Sequence, residues 1–184
     1  MAETKKVILD AGHGGTTDPG AVYQGRQEKN DNLRMALAVG QILSEDGVDV
    51  GYTRVQDVYQ SPLQKAQMAN NWEADYFVSF HRNAMPVPGT ASGTESLIFS
   101  RGGEAEQLAS NINAELGQAG WNDLGTTERP GLIVLRKTEM PAVLVEVGFL
   151  DNPEDNQRFD AHFEHTARAI ADGILNTLRS PEGQ

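Results

Sequence analysis

The stretch Val7-Ile8-Leu9-Asp10-Ala11-Gly12-His13-Gly14-Gly15 runs a short apolar segment into a histidine set among glycines. The apolar part has the length of a strand, and its near-continuous character suits one covered on both faces. A histidine placed there serves as part of a phosphate cradle, as a nucleophile, as a metal ligand or as a turn residue. The nine residues alone leave all four roles open.

Outward from that stretch, apolar runs recur at 48–54, 76–80, 94–100, 132–136 and 142–147, which with 6–10 make six candidate strands. Helical stripes lie between them. In the segment 31–46, Leu33, Ala36, Leu37, Gly40 and Leu43 share a face, and Gly47 stands where a left-handed cap belongs. Ser61-Pro62-Leu63-Gln64 combines an N-cap serine, a first-turn proline and a capping-box glutamine, predicting a helix to about Trp72. Ala105, Leu108, Ala109, Ile112 and Leu116 form a third stripe; Phe163, Ala167, Ile170, Ala171, Ile174 and Leu178 form a last one.

The alternation predicts an α/β fold, a three-layer sandwich whose mostly parallel, mixed sheet of about six strands is flanked by helices. Segments 132–136 and 142–147 are joined too tightly for a helical crossover, so they are expected to be antiparallel or separated in the sheet.

Composition narrows the function. With 184 residues, 39% of them hydrophobic, one domain over residues 1–180 is expected, and residues 181–184 read as a tail or the start of a linker. No apolar run is long enough to cross a bilayer, and the first residues lack the apolar core of an export signal. The absence of cysteine excludes thiolate zinc sites and cysteine nucleophiles. A formal charge of −11 argues against nucleic acid as partner.

In open α/β sheets, chemistry collects beyond the carboxyl ends of the strands. Four residues on that rim stand out: His13, Glu28, His81 and Glu146. His81 closes an apolar run and reads alone as an ordinary histidine; a second histidine on the same rim changes the weight. Glu28 reads alone as a carboxylate near a helix N-terminus. Glu146 lies inside Ala142-Val143-Leu144-Val145-Glu146-Val147, where an ionised carboxylate must be paired, protonated or beside a cleft. An ion pair with Arg136 or Arg129 is one reading; a proton-transfer group with a raised pKa is the other. His13, Glu28 and His81 make a His₂Glu set of the kind that holds catalytic zinc. Their separations, 15 and 53 residues, carry little weight by themselves.

Taken together, the blocks around His13 (with Asp18-Pro19-Gly20-Ala21), Glu28-Lys29-Asn30-Asp31-Asn32-Leu33, Ala74 to Ala84 and Pro141 to Asn152 resemble the zinc-dependent N-acetylmuramoyl-L-alanine amidases of the Amidase_3 family. The likeness covers nearly the whole chain. It implies one zinc ion bound by His13, Glu28 and His81, Glu146 as the catalytic carboxylate, and bacterial peptidoglycan as substrate, cut between N-acetylmuramic acid and L-alanine. Arg82 and Glu128-Arg129-Pro130-Gly131 depart from the family pattern at positions expected to bear on substrate preference. The stretch from Ala84 to Thr94 is too short for the inhibitory helix of cell-division members, which implies an open site. A cell-wall lysin is therefore expected, such as a phage endolysin freed by host lysis, a mother-cell lysin or an excised domain. Its acidity implies a separate wall-binding module. A phosphoryl-transfer enzyme with His13 as nucleophile and a catalytically silent wall-binding module are the competing readings.

Overall fold

The computed structural model describes residues 4–180, so the expected tail at 181–184 lies outside the described residues. Elements follow in the order β1 (Lys6–Ala11), β2 (Val22–Tyr23), β3 (Arg26–Gln27), α1 (Glu28–Glu45), β4 (Asp49–Tyr52), α2 (Pro62–Asn71) and β5 (Tyr76–Asn83). Then come β6 (Thr94–Ile98), α3 (Gly103–Gln118), β7 (Asp123–Glu128), α4 (Ile133–Arg136), β8 (Ala142–Phe149), α5 (Pro153–Ala161) and α6 (Phe163–Arg179).

The central sheet has six strands in the order β4-β1-β5-β8-β6-β7. The first four are mutually parallel, β6 runs antiparallel to β8, and β7 follows β6 in parallel. Strand alternation sorts the side chains. Val7, Leu9, Val78, Phe80, Val143, Val145 and Val147 face the larger core, shared with residues of α1, α3 and α6. Ile8, Phe77, Leu97, Ala142 and Leu144 face the smaller one, which Ala69 of α2 and Val134 and Leu135 of α4 cover. Three layers result, as expected, and the same alternation puts Glu146 on the α2 and α4 face with Leu144.

Local signals account for several helix ends. Ser61 and Gln64 form the reciprocal capping box in front of α2, and Gly47 adopts φ +83° behind α1. Two expectations fail. Segment 132–136 is no strand: α4 is a single helical turn, whose carbonyls at Val134 and Leu135 accept from the Thr138 hydroxyl. Its expected place in the sheet, antiparallel to 142–147 or separated from it, therefore does not exist, and the antiparallel neighbour of β8 is β6. The sixth strand is β7, whose sequence Asp-Leu-Gly-Thr-Thr-Glu is too polar to read as one. Helix α5 also escaped the periodicity, although Asn152 caps it through the amides of Glu154 and Asp155 and Pro153 opens it.

Candidate metal centre

His13 follows β1 with φ 61°, so the histidine itself takes the left-handed turn. Gly12 is needed for a different reason: a Cβ there would stand 2.3 Å from the His81 ring. Three buried donors grip the strand end. Arg54 donates to the carbonyls of Ala11 (2.9 Å) and Gly12 (3.1 Å), Lys65 to that of Ala11 (2.7 Å), and Asn32 to that of Gly12 (3.2 Å). Lys65 also pairs with Asp10 at 2.8 Å, and Ser79 and Thr53 donate to the same carboxylate. Burial works against the Asp10 charge, but Lys65 and the two hydroxyls outweigh it and hold the carboxyl below its ordinary range.

Glu28 opens α1 rather than preceding it, and His81 and Glu146 lie inside β5 and β8 near their carboxyl ends. The structure brings three of the four expected residues into contact. Glu28 Oε2 is 3.3 Å from His13 Nε2, and Glu28 Oε1 is 2.9 Å from His81 Nδ1. One donor atom from each of His13, Glu28 and His81 lies within 4.8 Å of the others. The amides of Ala21 (2.8 Å) and Arg82 (3.0 Å) donate to the Glu28 carboxylate and aim it. Asp18 stands 2.7 Å from His13 Nδ1, which leaves Nε2 to face Glu28. A carboxylate behind a histidine in this way fixes tautomer and ring orientation in metal sites.

The electrostatics match a cation's place. Burial disfavours charge on Glu28, yet the two imidazoles beside it hold its carboxyl far below the usual range. Burial likewise lowers His13, but Glu28 and Asp18 outweigh it and raise it to about 9. The donors fit a metal: two imidazoles and a carboxylate converge, and a Cβ on Gly20 would intrude to 2.6 Å from both Glu28 Oε2 and His13 Cδ2.

Glu146 is the Cα partner of His81 across β5 and β8. Its Oε2 is buried without a hydrogen-bond partner, and among the described residues it forms no ion pair, so pairing with Arg136 or Arg129 is not observed. Burial pushes its carboxyl up to about 7; His81 pulls against this, and Glu28 and Glu95 push the same way. Beside the centre, a cavity of about 340 Å³ is lined by His13, His81, Pro62, Leu132, Val134 and Leu144, so the α4 turn serves as an apolar wall.

Arg82 does not face that cavity. Its buried guanidinium lies on the opposite face of the sheet, 2.6 Å from Asp31, 2.8 Å from Asn156 and 4.3 Å above the Phe159 ring. The expectation that it bears on substrate preference is thereby corrected: it ties β5 to α1 and α5. Arg129 is exposed at the turn before α4, with its guanidinium on the Glu128 carbonyl. Residues 84–93 contain no helix. The cations a phosphoryl-transfer site would need are engaged elsewhere, Arg26 by Asp31 and Asp160, and Lys29 by Asp57.

Sequence reasoning missed Asp18, Arg54, Lys65 and Asn32 as the residues that aim the ligands. Asp10 carried the signal used for Glu146, a carboxylate inside an apolar strand. The others had none, because a carbonyl that needs a donor leaves no trace in sequence.

The chain is similar to known proteins in sequence and in fold. Residues 7–176 match the family described as N-acetylmuramoyl-L-alanine amidase. The sporulation-specific N-acetylmuramoyl-L-alanine amidase of Bacillus subtilis (strain 168) is 37% identical over 175 residues, which cover 92% of this chain and 66% of the relative. The endolysin of Bacillus phage SPP1 is 36% identical over 185 residues, covering 95% and 66%. The chain thus spans about two thirds of the length of these two relatives. The crystal structure of an N-acetylmuramoyl-L-alanine amidase from Clostridium difficile 630 superposes with a TM-score of 0.92 at 32% identity, over 98% of this chain and 100% of that one. With a family match over nearly the full length and a superposable fold, the chain belongs to the N-acetylmuramoyl-L-alanine amidase family, Amidase_3.

Proposed function

We propose that this chain hydrolyses the amide between N-acetylmuramic acid and L-alanine in bacterial peptidoglycan, with zinc held by His13, Glu28 and His81 and with Glu146 as the catalytic carboxylate. The observation that carries the reading is the convergence of those three donors beside a carboxylate whose Oε2 is buried and unpartnered. Imidazole and carboxylate together suit zinc, whereas magnesium favours a site richer in oxygen donors. When bound, zinc supplies Lewis acidity that lowers the pKa of water and polarises a carbonyl.

The chain's own residues supply the rest. Asp18 keeps His13 in one tautomer, and Arg54 and Lys65 hold the strand end that carries it. Glu146, at its raised pKa, takes a proton from the attacking water and hands it to the amide nitrogen. The water oxygen bonds to the acyl carbon as the C–N bond breaks, and both water hydrogens end on nitrogen, giving a carboxylate and an ammonium. Residues 1–180 act as the catalytic domain at the cell wall. We assign attachment to a separate wall-binding module, because a surface of net charge −11 is repelled by an anionic wall.

Chelation followed by zinc restoration, read by turbidity of purified walls and by mass spectrometry of the released muropeptides, tests the reading. Activity should vanish and return with zinc, and the products should be intact glycan strands and peptides with free L-alanine amino termini. Full activity in metal-free protein would refute it. Glu146→Ala should abolish turnover and retain the metal; loss of the metal would make Glu146 a ligand instead.

A further inference from the structure

Three strands place His81, Glu146 and Glu95 side by side. Glu146 is the Cα partner of His81 on β5 and, on its other side, of Glu95 on β6. Directly opposed residues of a sheet project to one face, so the row leads from the metal centre to Glu95 in two strand spacings, about 10 Å. Because β6 runs antiparallel, its first residues lie at the rim where β5 and β8 end. Glu95 is half-buried and anchored: its Oε1 accepts from the Thr127 hydroxyl on β7, while its Oε2 has no hydrogen-bond partner among the described residues. Next to it lies the buried, unpartnered Oε2 of Glu146. Like charges held opposite each other are unfavourable unless something cationic or proton-donating comes between them.

We propose that Glu95 is a substrate-positioning residue on the amine side of the scissile bond, accepting from its N–H and then holding the ammonium released by hydrolysis. The inference rests on the amide hydrolysis proposed above. It also orients the substrate. With the carbonyl at the metal centre and the nitrogen at Glu146, the peptide leaves over β6 and β7, and the acyl part faces the cavity walled by Pro62, Leu132 and Leu144. A carboxylate with one oxygen pinned by a hydroxyl and the other free is suited to a primary ammonium, since pinning removes rotamer entropy that binding would otherwise cost.

The test measures binding of two peptides to the zinc-loaded protein by calorimetry: L-Ala-D-Glu-L-Lys and its propionyl analogue, which lacks only the amino group. The wild type should prefer the amino peptide by about tenfold or more. Glu95→Gln should bind both equally, raise KM for a soluble muropeptide about fivefold to tenfold and relieve inhibition by the amino peptide, with zinc content unchanged. Glu95→Asp, which keeps the charge and shortens the reach, should lose the preference too and serves if the glutamine variant fails to fold. Equal binding of the two peptides by the wild type, or a preference that survives in the variants, would overturn the inference. Hydrolysis without the preference would leave the amidase reading standing and remove this one; the preference without hydrolysis would do the reverse.

Discussion

In the metal-free protein an ionised Glu146 lies near Glu28 and Glu95 with one oxygen buried and unpartnered, so the folded chain keeps that proton to about pH 7, against an ordinary value of 4.5. The folded state therefore binds more protons than the unfolded chain between those values. Stability falls as pH rises through that window, by about 3 kcal/mol at most for a shift of this size. Glu146→Gln should remove the dependence: with chelator present, denaturant unfolding should show the variant more stable by about 2–3 kcal/mol at pH 8 and equal to the parent below pH 4.5. Equal stability at both pH values would mean that Glu146 is solvated in the folded state. The same misfit made Glu146 readable in the sequence, since a lone carboxylate in a run of valines is conspicuous. Asp18 was not readable, because one aspartate in a glycine-rich loop resembles any turn former until its 2.7 Å contact with His13 is seen.

Among the elements, the loop after β1 shows how little space the centre leaves. Gly12 donates to the Phe80 carbonyl at 3.0 Å, which pins its backbone against β5, and its α-carbon faces the His81 ring. Gly12→Ala puts a methyl where that ring stands, so His81 must swing away from Glu28. The expected result is a zinc affinity lower by at least 100-fold in competition with a chromophoric chelator, with a stability loss of about 1–3 kcal/mol from overpacking. Undiminished affinity would show that the ring has room to yield. Elements with a periodic face, such as α1 and α6, were legible, as was α2 with its capping box. The stretch Leu132-Ile133-Val134-Leu135-Arg136 was misread because a short apolar run looks the same whether it crosses a sheet or caps a cavity wall; Pro130-Gly131 just before it favours the turn. Strand β7 was invisible because an edge strand carrying Thr126 and Thr127 needs no apolar alternation.

At the scale of the whole molecule, the mixed six-stranded sheet sorts labour between its faces. One carries the large core beneath α1, α3 and α6; the other carries the smaller core under α2 and α4 and, toward its rim, the row from His81 to Glu95. Five of the six sheet strands, β1, β4, β5, β6 and β8, were readable, whereas the sheet order depends on pairings between segments far apart in the chain. Net charge belongs to this scale as well. With −11 on 20.0 kDa, the molecule meets an anionic wall against a repulsion that acts over the Debye length, about 30 Å at 0.01 M salt and 8 Å at 0.15 M. Repulsion slows encounter and leaves the chemical step unchanged. The isolated chain should therefore clear suspended walls severalfold faster at 0.15 M than at 0.01 M salt, while its kcat on a small soluble muropeptide stays constant over the same range. Clearing that falls as salt is added would mean the wall is met through a local cationic surface that outweighs the net charge, and the assignment of wall attachment to a separate module would then lose its basis.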